Sequence, residues 1–222
     1  MGVTIFFINT ITGLEKGFNA LCDELIKTDT VKKHISDESL IFQIMANGGI
    51  TKSVRRRFLE NVVAAEEAGA DIIQVTCSSV TPLIEDAGTL VDIPVLSIDE
   101  PMARIAVSRF EKLGVIATNP GTLLPSAQLL EKTAEKAGRK IDLKKVLCGR
   151  AYDALLSGSM ELHDRLVIED LKKLMKQCDA VVLAQASMAR VADMIDDAEK
   201  PAVLFTSPRL AIEHLAEVIS CI

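Results

Sequence analysis

The chain carries five cysteines, Cys22, Cys77, Cys148, Cys178 and Cys221, an odd number with no Cys-x-x-Cys pair. Neither a disulfide framework nor a structural zinc site follows from that spacing. Four of them sit in ordinary helical or strand-edge contexts and read as small apolar residues. Cys77 differs: it lies in Thr76-Cys77-Ser78-Ser79, after an apolar run and before a helix expected from about Val80. A helix start offers free amides and the positive end of the macrodipole, which would draw a thiol's pKa well below about 8.5. The expected thiolate could serve as nucleophile or as base. Nucleophilic hydrolysis asks for an imidazole partner, and His34, His163 and His214 all read as lying on helices or connections away from strand ends. A base working beside a carboxylate needs hydroxyl and amide donors instead. Asn9, Thr10, Ser78, Ser79, Thr118, Asn119, Thr122 and Ser187 supply them at predicted strand ends.

The elements that would position these residues follow from periodicity. Short runs rich in Val, Ile and Phe alternate with helical patterns along all 222 residues, the rhythm of strand-helix units on a parallel sheet. Strands are expected at 4–8, 40–45, 72–76, 95–98, 112–117, 144–148, 180–184 and 202–205. Helices are expected at 14–27, 52–68, 101–110, 123–137, 161–177 and 208–219, with Gly69 and Gly138 as left-handed caps and Pro101 and Pro208 in first turns. A hydrophobic content of 49% and mean hydropathy of +0.27 favour sheets buried on both faces. No run approaches the roughly 18 apolar residues of a spanning helix, and residues 1–12 lack the marks of a secretory signal, so we expect a cytoplasmic protein without membrane contact. A net charge of −6 argues against a nucleic-acid partner. There is no GxGxxG or Walker loop. Arg55-Arg56-Arg57 reads as a solvated face, Ala46-Asn47-Gly48-Gly49 as a loop, and Gly149 to Ser159 as a mobile connection over the site.

An internal repeat organises the chain. Asp71 to Ser79 (DIIQVTCSS) matches Asp179 to Ser187 (DAVVLAQAS) at an offset of 108, and PVLSIDEP from Pro94 matches PAVLFTSP from Pro201 at 107. Ile8-Asn9-Thr10 matches Thr118-Asn119-Pro120 at 110. We therefore expect an α/β fold of two pseudo-symmetric parallel-sheet αβα domains with a cleft between them. Residues 1–98 would carry Cys77, with helix 207–222 packing back on them, and residues 99–206 would carry Gln185. Ligands bind beyond the carboxyl ends of strands in such sheets, which would set Cys77 and Gln185 on opposite walls.

These segments resemble the aspartate/glutamate/hydantoin racemase superfamily. The likeness rests on Thr76-Cys77-Ser78-Ser79, on PVLSIDEP from Pro94, on Leu113-Gly114-Val115-Ile116-Ala117-Thr118, and on Leu183-Ala184-Gln185-Ala186-Ser187-Met188. It implies two cysteines, one per half, that move a proton on and off the carbon next to a carboxylate, with no cofactor and no metal. Amides and hydroxyls near them would hold the acid group, Glu100 would tune proton transfer, and the chain would form a homo-oligomer. Gln185 stands where the second cysteine belongs, and an amide is no proton donor of useful pKa. Three enzymatic outcomes stay open: one-base racemisation through Cys77, decarboxylation of a malonate-type acid, and covalent isomerisation of an unsaturated diacid. Binding of a small acid without catalysis is the fourth.

Overall fold

The computed structural model describes residues 2–222, the side chain of Ser187 excepted. In chain order the elements are β1 (Val3–Asn9), α1 (Glu15–Leu25), β2 (Thr30–Ser36), α2 (Glu38–Asn47), α3 (Lys52–Glu67), β3 (Ile72–Val75), a 3-10 turn (Ser78–Leu83), α4 (Ile84–Ala87), β4 (Val95–Ser97) and α5 (Glu100–Arg109). They continue as β5 (Lys112–Ala117), α6 (Pro120–Lys136), β6 (Asp142–Leu147), α7 (Gly149–Leu156), α8 (Met160–Met175) and β7 (Ala180–Leu183). A 3-10 turn (Ala186–Met188), α9 (Ala189–Asp193), a further 3-10 turn (Asp197–Glu199), β8 (Val203–Thr206) and α10 (Ser207–Ile219) complete the chain. Two compact units result: one runs to Glu100 and takes in Pro208–Ile222, the other is Pro101–Ser207. Each holds a four-stranded parallel sheet, ordered β2-β1-β3-β4 in the first and β6-β5-β7-β8 in the second.

The alternation of side chains along β1 explains the layering of the first unit. Phe6 and Ile8 enter a core with Leu40 and Ile44 of α2, Phe58 and Val62 of α3, and Ala87 of α4. On the opposite face Phe7 stacks on Phe18 of α1 at 5.8 Å. In the second unit Ile116, Val181 and Leu183 pack with Ala151 of α7, Leu171 and Leu174 of α8, and Val191 of α9. Gly114 on β5 permits that approach, since a Cβ there would stand 2.9 Å from the Leu174 side chain. Gly69 and Gly138 close α3 and α6 with φ of +83° and +63°, as their positions in the sequence require.

Three expectations are corrected. Residues 40–45 are not a strand but part of α2: Asp37 caps it by accepting from the Ser39 N–H, and Leu40 and Ile44 are buried while Phe42 is 67% exposed. That is helical spacing, and a six-residue apolar run does not reveal it on its own. The strand of this region is β2, Thr30–Ser36, an edge strand whose two lysines mask its alternation. Residues 149–159 are not an irregular connection: Gly149–Leu156 form α7, with Ala151 and Ala154 buried.

Candidate active site

In the first unit the chemistry gathers where β1 and β3 end side by side, Ile8 opposite Val75. The Thr76 N–H continues the ladder to the Ile8 carbonyl at 3.1 Å, and Cys77 follows in extended backbone at the head of the 3-10 turn. Cys22, Cys148 and Cys178 are buried and Cys221 is exposed, whereas Cys77 is partly exposed. Burial pushes the Cys22 thiol up to about 11 and the Cys148 thiol up to about 12, as befits inert core cysteines.

The Cys77 thiol is also pushed up, and this corrects the expectation of a lowered one. Burial of the sulfur is the largest cause, opposed by the Thr10 hydroxyl and by the Ser79 N–H and hydroxyl, which favour the thiolate; the charge of Asp99 raises it further. The expected helix start is a 3-10 turn containing Pro82, followed by the four residues of α4, and so brings little macrodipole. The Thr10 hydroxyl is buried and has no hydrogen-bond partner, which leaves it free to turn toward the sulfur. Thr10 and Ser79 are therefore brought together around Cys77, while the Ser78 hydroxyl donates to Asp99.

Asn9 is bound into the protein on every side. Its Oδ1 accepts from the Thr76 hydroxyl at 2.8 Å, and its Nδ2 donates to the Ser36 hydroxyl at 3.2 Å and to His34 Nδ1 at 3.3 Å. Those bonds use its donors and leave one lone-pair site, so it acts as a clamp between β1, β2 and the residue after β3. His34 corrects a further expectation: it lies on β2 beside the end of β1, not on a connection, and stacks on Phe7. Its Nε2 bonds Asn19 Oδ1 at 3.0 Å, which makes Nε2 the protonated nitrogen and Nδ1 the acceptor for Asn9. Burial lowers the His34 pKa, with Glu15 opposing, which favours the neutral ring.

The residue that the sequence did not disclose is Asp99. It is 1% exposed, and its carboxylate accepts from the Ser78 hydroxyl at 2.9 Å and the Thr81 hydroxyl at 3.1 Å, while its N–H donates to the Ser97 hydroxyl at 3.2 Å. Burial pushes its pKa up to about 6, the two hydroxyls opposing. Glu100, the carboxylate that the sequence singled out, is exposed in the first turn of α5. The signal that could have found Asp99 is its place two residues past the end of β4, within bonding reach of the turn after β3.

The second unit repeats this arrangement of strand ends around Gln185. Ile116 faces Leu183, the Ala184 N–H reaches the Ile116 carbonyl at 3.0 Å, and Gln185 leads into its own 3-10 turn in extended backbone. Gln185 Oε1 accepts from the Thr118 N–H at 2.6 Å and the Thr118 hydroxyl at 2.9 Å. Because a backbone N–H can only donate, the atom facing it must be the oxygen, which turns the NH₂ group away from β5. Thr118, Asn119 and Thr122 are buried beside it, with the Thr122 hydroxyl bonded to Asn119 Oδ1 at 3.2 Å. The side chain of Ser187 lies outside the described residues. Hollows of about 410 and 440 Å³ on the outer faces of α3 and α8 include neither Cys77 nor Gln185. Among the described residues no cluster of three or more His, Cys, Asp or Glu side chains could hold a metal, and no helix is long and apolar enough to cross a membrane.

The profile of the Asp/Glu/Hydantoin racemase family matches residues 14–215, and the chain belongs to that family. Its fold is similar to that of several solved racemases. An aspartate racemase from Picrophilus torridus superposes with a TM-score of 0.74 at 13% identity, covering 99% of this chain and 95% of the other. An allantoin racemase from Klebsiella pneumoniae gives 0.68 at 19%, covering 99% and 88%. The glutamate racemase from Aquifex pyrophilus gives 0.68 at 21%, covering 97% and 84%. Three differently named racemases on one architecture mean that this likeness shows the fold without identifying what the chain acts on.

Proposed function

We propose that the protein is a cofactor-independent, racemase-like enzyme that moves a proton at the carbon next to the carboxylate of a small acid, with Cys77 as the group that moves it. The observation that carries this reading is the buried pair of donors, Thr10 and Ser79, supporting the one cysteine that is partly exposed after a strand end. In the forward step the Cys77 thiolate takes the α-hydrogen as a proton, and the C–H electron pair moves into the carboxylate to form an enediolate. Hydroxyl and amide donors stabilise that developing charge. The proton then returns from the thiol, or water protonates the other face and the hydroxide left behind takes the proton from the thiol. Gln185 contributes its NH₂ as a donor to an acid group or to a water, since its oxygen is held by Thr118. In this reading it replaces the second acid/base of the family with a binding group.

The raised Cys77 thiol favours a second reading. A thiol that holds its proton suits decarboxylation of a malonate-type acid: carbon dioxide leaves, its bonding pair forms an enediolate on the remaining acid, and Cys77 protonates that carbon. Water then restores the thiol. The readings separate in deuterium oxide with a panel of amino acids, hydroxy acids, hydantoins and malonates. Deuterium at the α-carbon without gas release supports proton transfer alone, and carbon dioxide release from a malonate supports decarboxylation. Saturable binding of an acid with neither outcome would replace both with a non-catalytic binding protein.

A further inference from the structure

The proposed mechanism leaves Asp99 without a role, although placing a carboxylate there is costly. A buried acid is held at full charge only where bonded partners compensate it, and its partners here are two neutral hydroxyls. One of them, Ser78, is the residue directly after Cys77; the other, Thr81, lies one turn further along the same 3-10 segment and also meets the Ser97 hydroxyl at 3.3 Å. The carboxylate thus ties the segment carrying the thiol to the end of β4. The groups bearing on Asp99 are those hydroxyls, its own amide bond to Ser97, and Cys77, whose sulfur feels its charge; Glu100, next in the chain, is exposed.

We propose that Asp99 is a positioning residue for Cys77: anchored through Ser78 and Thr81, its carboxylate fixes the turn that presents the thiol. Its negative charge adds to the burial that disfavours the thiolate. This rests on the reading of Cys77 as the group that moves the proton. Protonating Asp99, or bringing up a substrate that displaces its influence, would release Cys77 toward the thiolate. The charge therefore works with burial in setting the form in which the sulfur meets an incoming acid.

The test needs no substrate. Iodoacetamide alkylation of Cys77 is followed by peptide mass spectrometry across about pH 5 to 9, because the exposed Cys221 also reacts. In the wild-type protein the logarithm of the rate should climb with pH, flatten near the titration of Asp99, and climb again, the flat step measuring the coupling. In Asp99→Asn the step should vanish and the rate near neutral pH should rise. Each pKa unit of coupling gives about tenfold more thiolate and about threefold less nucleophilicity, so about a threefold gain is expected per unit. Asp99→Glu should retain a step. Straight, superimposable profiles for wild type and Asp99→Asn would overturn the proposal. If Asp99→Asn does not fold, the wild-type profile decides: a flat step supports the coupling and a single straight rise refutes it. Failure of the proton-transfer reading shows separately, as full turnover in Cys77→Ala.

Discussion

Asp99→Asn should stabilise the protein, by an amount that depends on pH in a defined way. The carboxyl titrates near 3.8 in an unfolded chain and at about 6 in the fold. An acid whose folded pKa is raised contributes stability that is fully present below the unfolded value and is lost as pH rises through the folded one. At about pH 7.5 the wild-type protein should therefore be about 3 kcal/mol less stable than with a neutral group at this position, and at about pH 5 about 1–2 kcal/mol less stable. Asparagine is nearly isosteric: its oxygen can accept from the Ser78 hydroxyl and its NH₂ can donate to the Thr81 oxygen, so the two contacts survive the loss of charge. Urea unfolding of both proteins at the two pH values measures the difference, read from midpoints with unchanged slopes. A variant less stable than wild type at pH 7.5, or a gain that does not shrink toward pH 5, would refute the view that Asp99 is a strained buried carboxylate retained for its effect on Cys77.

Asn9→Ala should lower stability by about 2–4 kcal/mol, the sum of lost bonds to Thr76, His34 and Ser36 and the cavity left at a fully buried site, measured by the same unfolding assay. Ile44→Ala should cost about 2–4 kcal/mol, whereas Phe42→Ala two residues away should stay within about 0.5 kcal/mol, because α2 buries the first and exposes the second. Equal costs at the two positions would contradict the helical assignment.

The alternation of strands with helices from 52 onward was legible because β3, β5 and β7 are short, apolar and largely buried, and because Gly69 and Gly138 punctuate the helices they follow. Residues 30–47 were not. Lys32 and Lys33 disguise β2, and the apolar run in α2 is too short for period alone to separate helix from strand, although the Asp37-Glu38-Ser39 start is a capping signal of the kind that could have decided it. In the site, Thr76-Cys77-Ser78-Ser79 stood out by its polarity, and its contacts with Thr10 follow from the pairing of β1 with β3. The direction of the Cys77 pKa could not be read. It depends on burial and on how long the following helix is, and a sequence shows the first residue of a helix more readily than its hydrogen-bonding pattern. Asp99 was overlooked beside Glu100 for the same reason: the two carboxylates are adjacent in the chain, and only the fold buries one and exposes the other.

The central claim is that Cys77 moves the proton. Its most direct measurement is the rate of α-deuterium incorporation from deuterium oxide into whichever acid the wild-type protein exchanges, compared with Cys77→Ala at matched folding by circular dichroism. Loss of the exchanging group should lower the rate by about a thousandfold or more, with the urea midpoint little changed. Exchange at the wild-type rate in Cys77→Ala would contradict it.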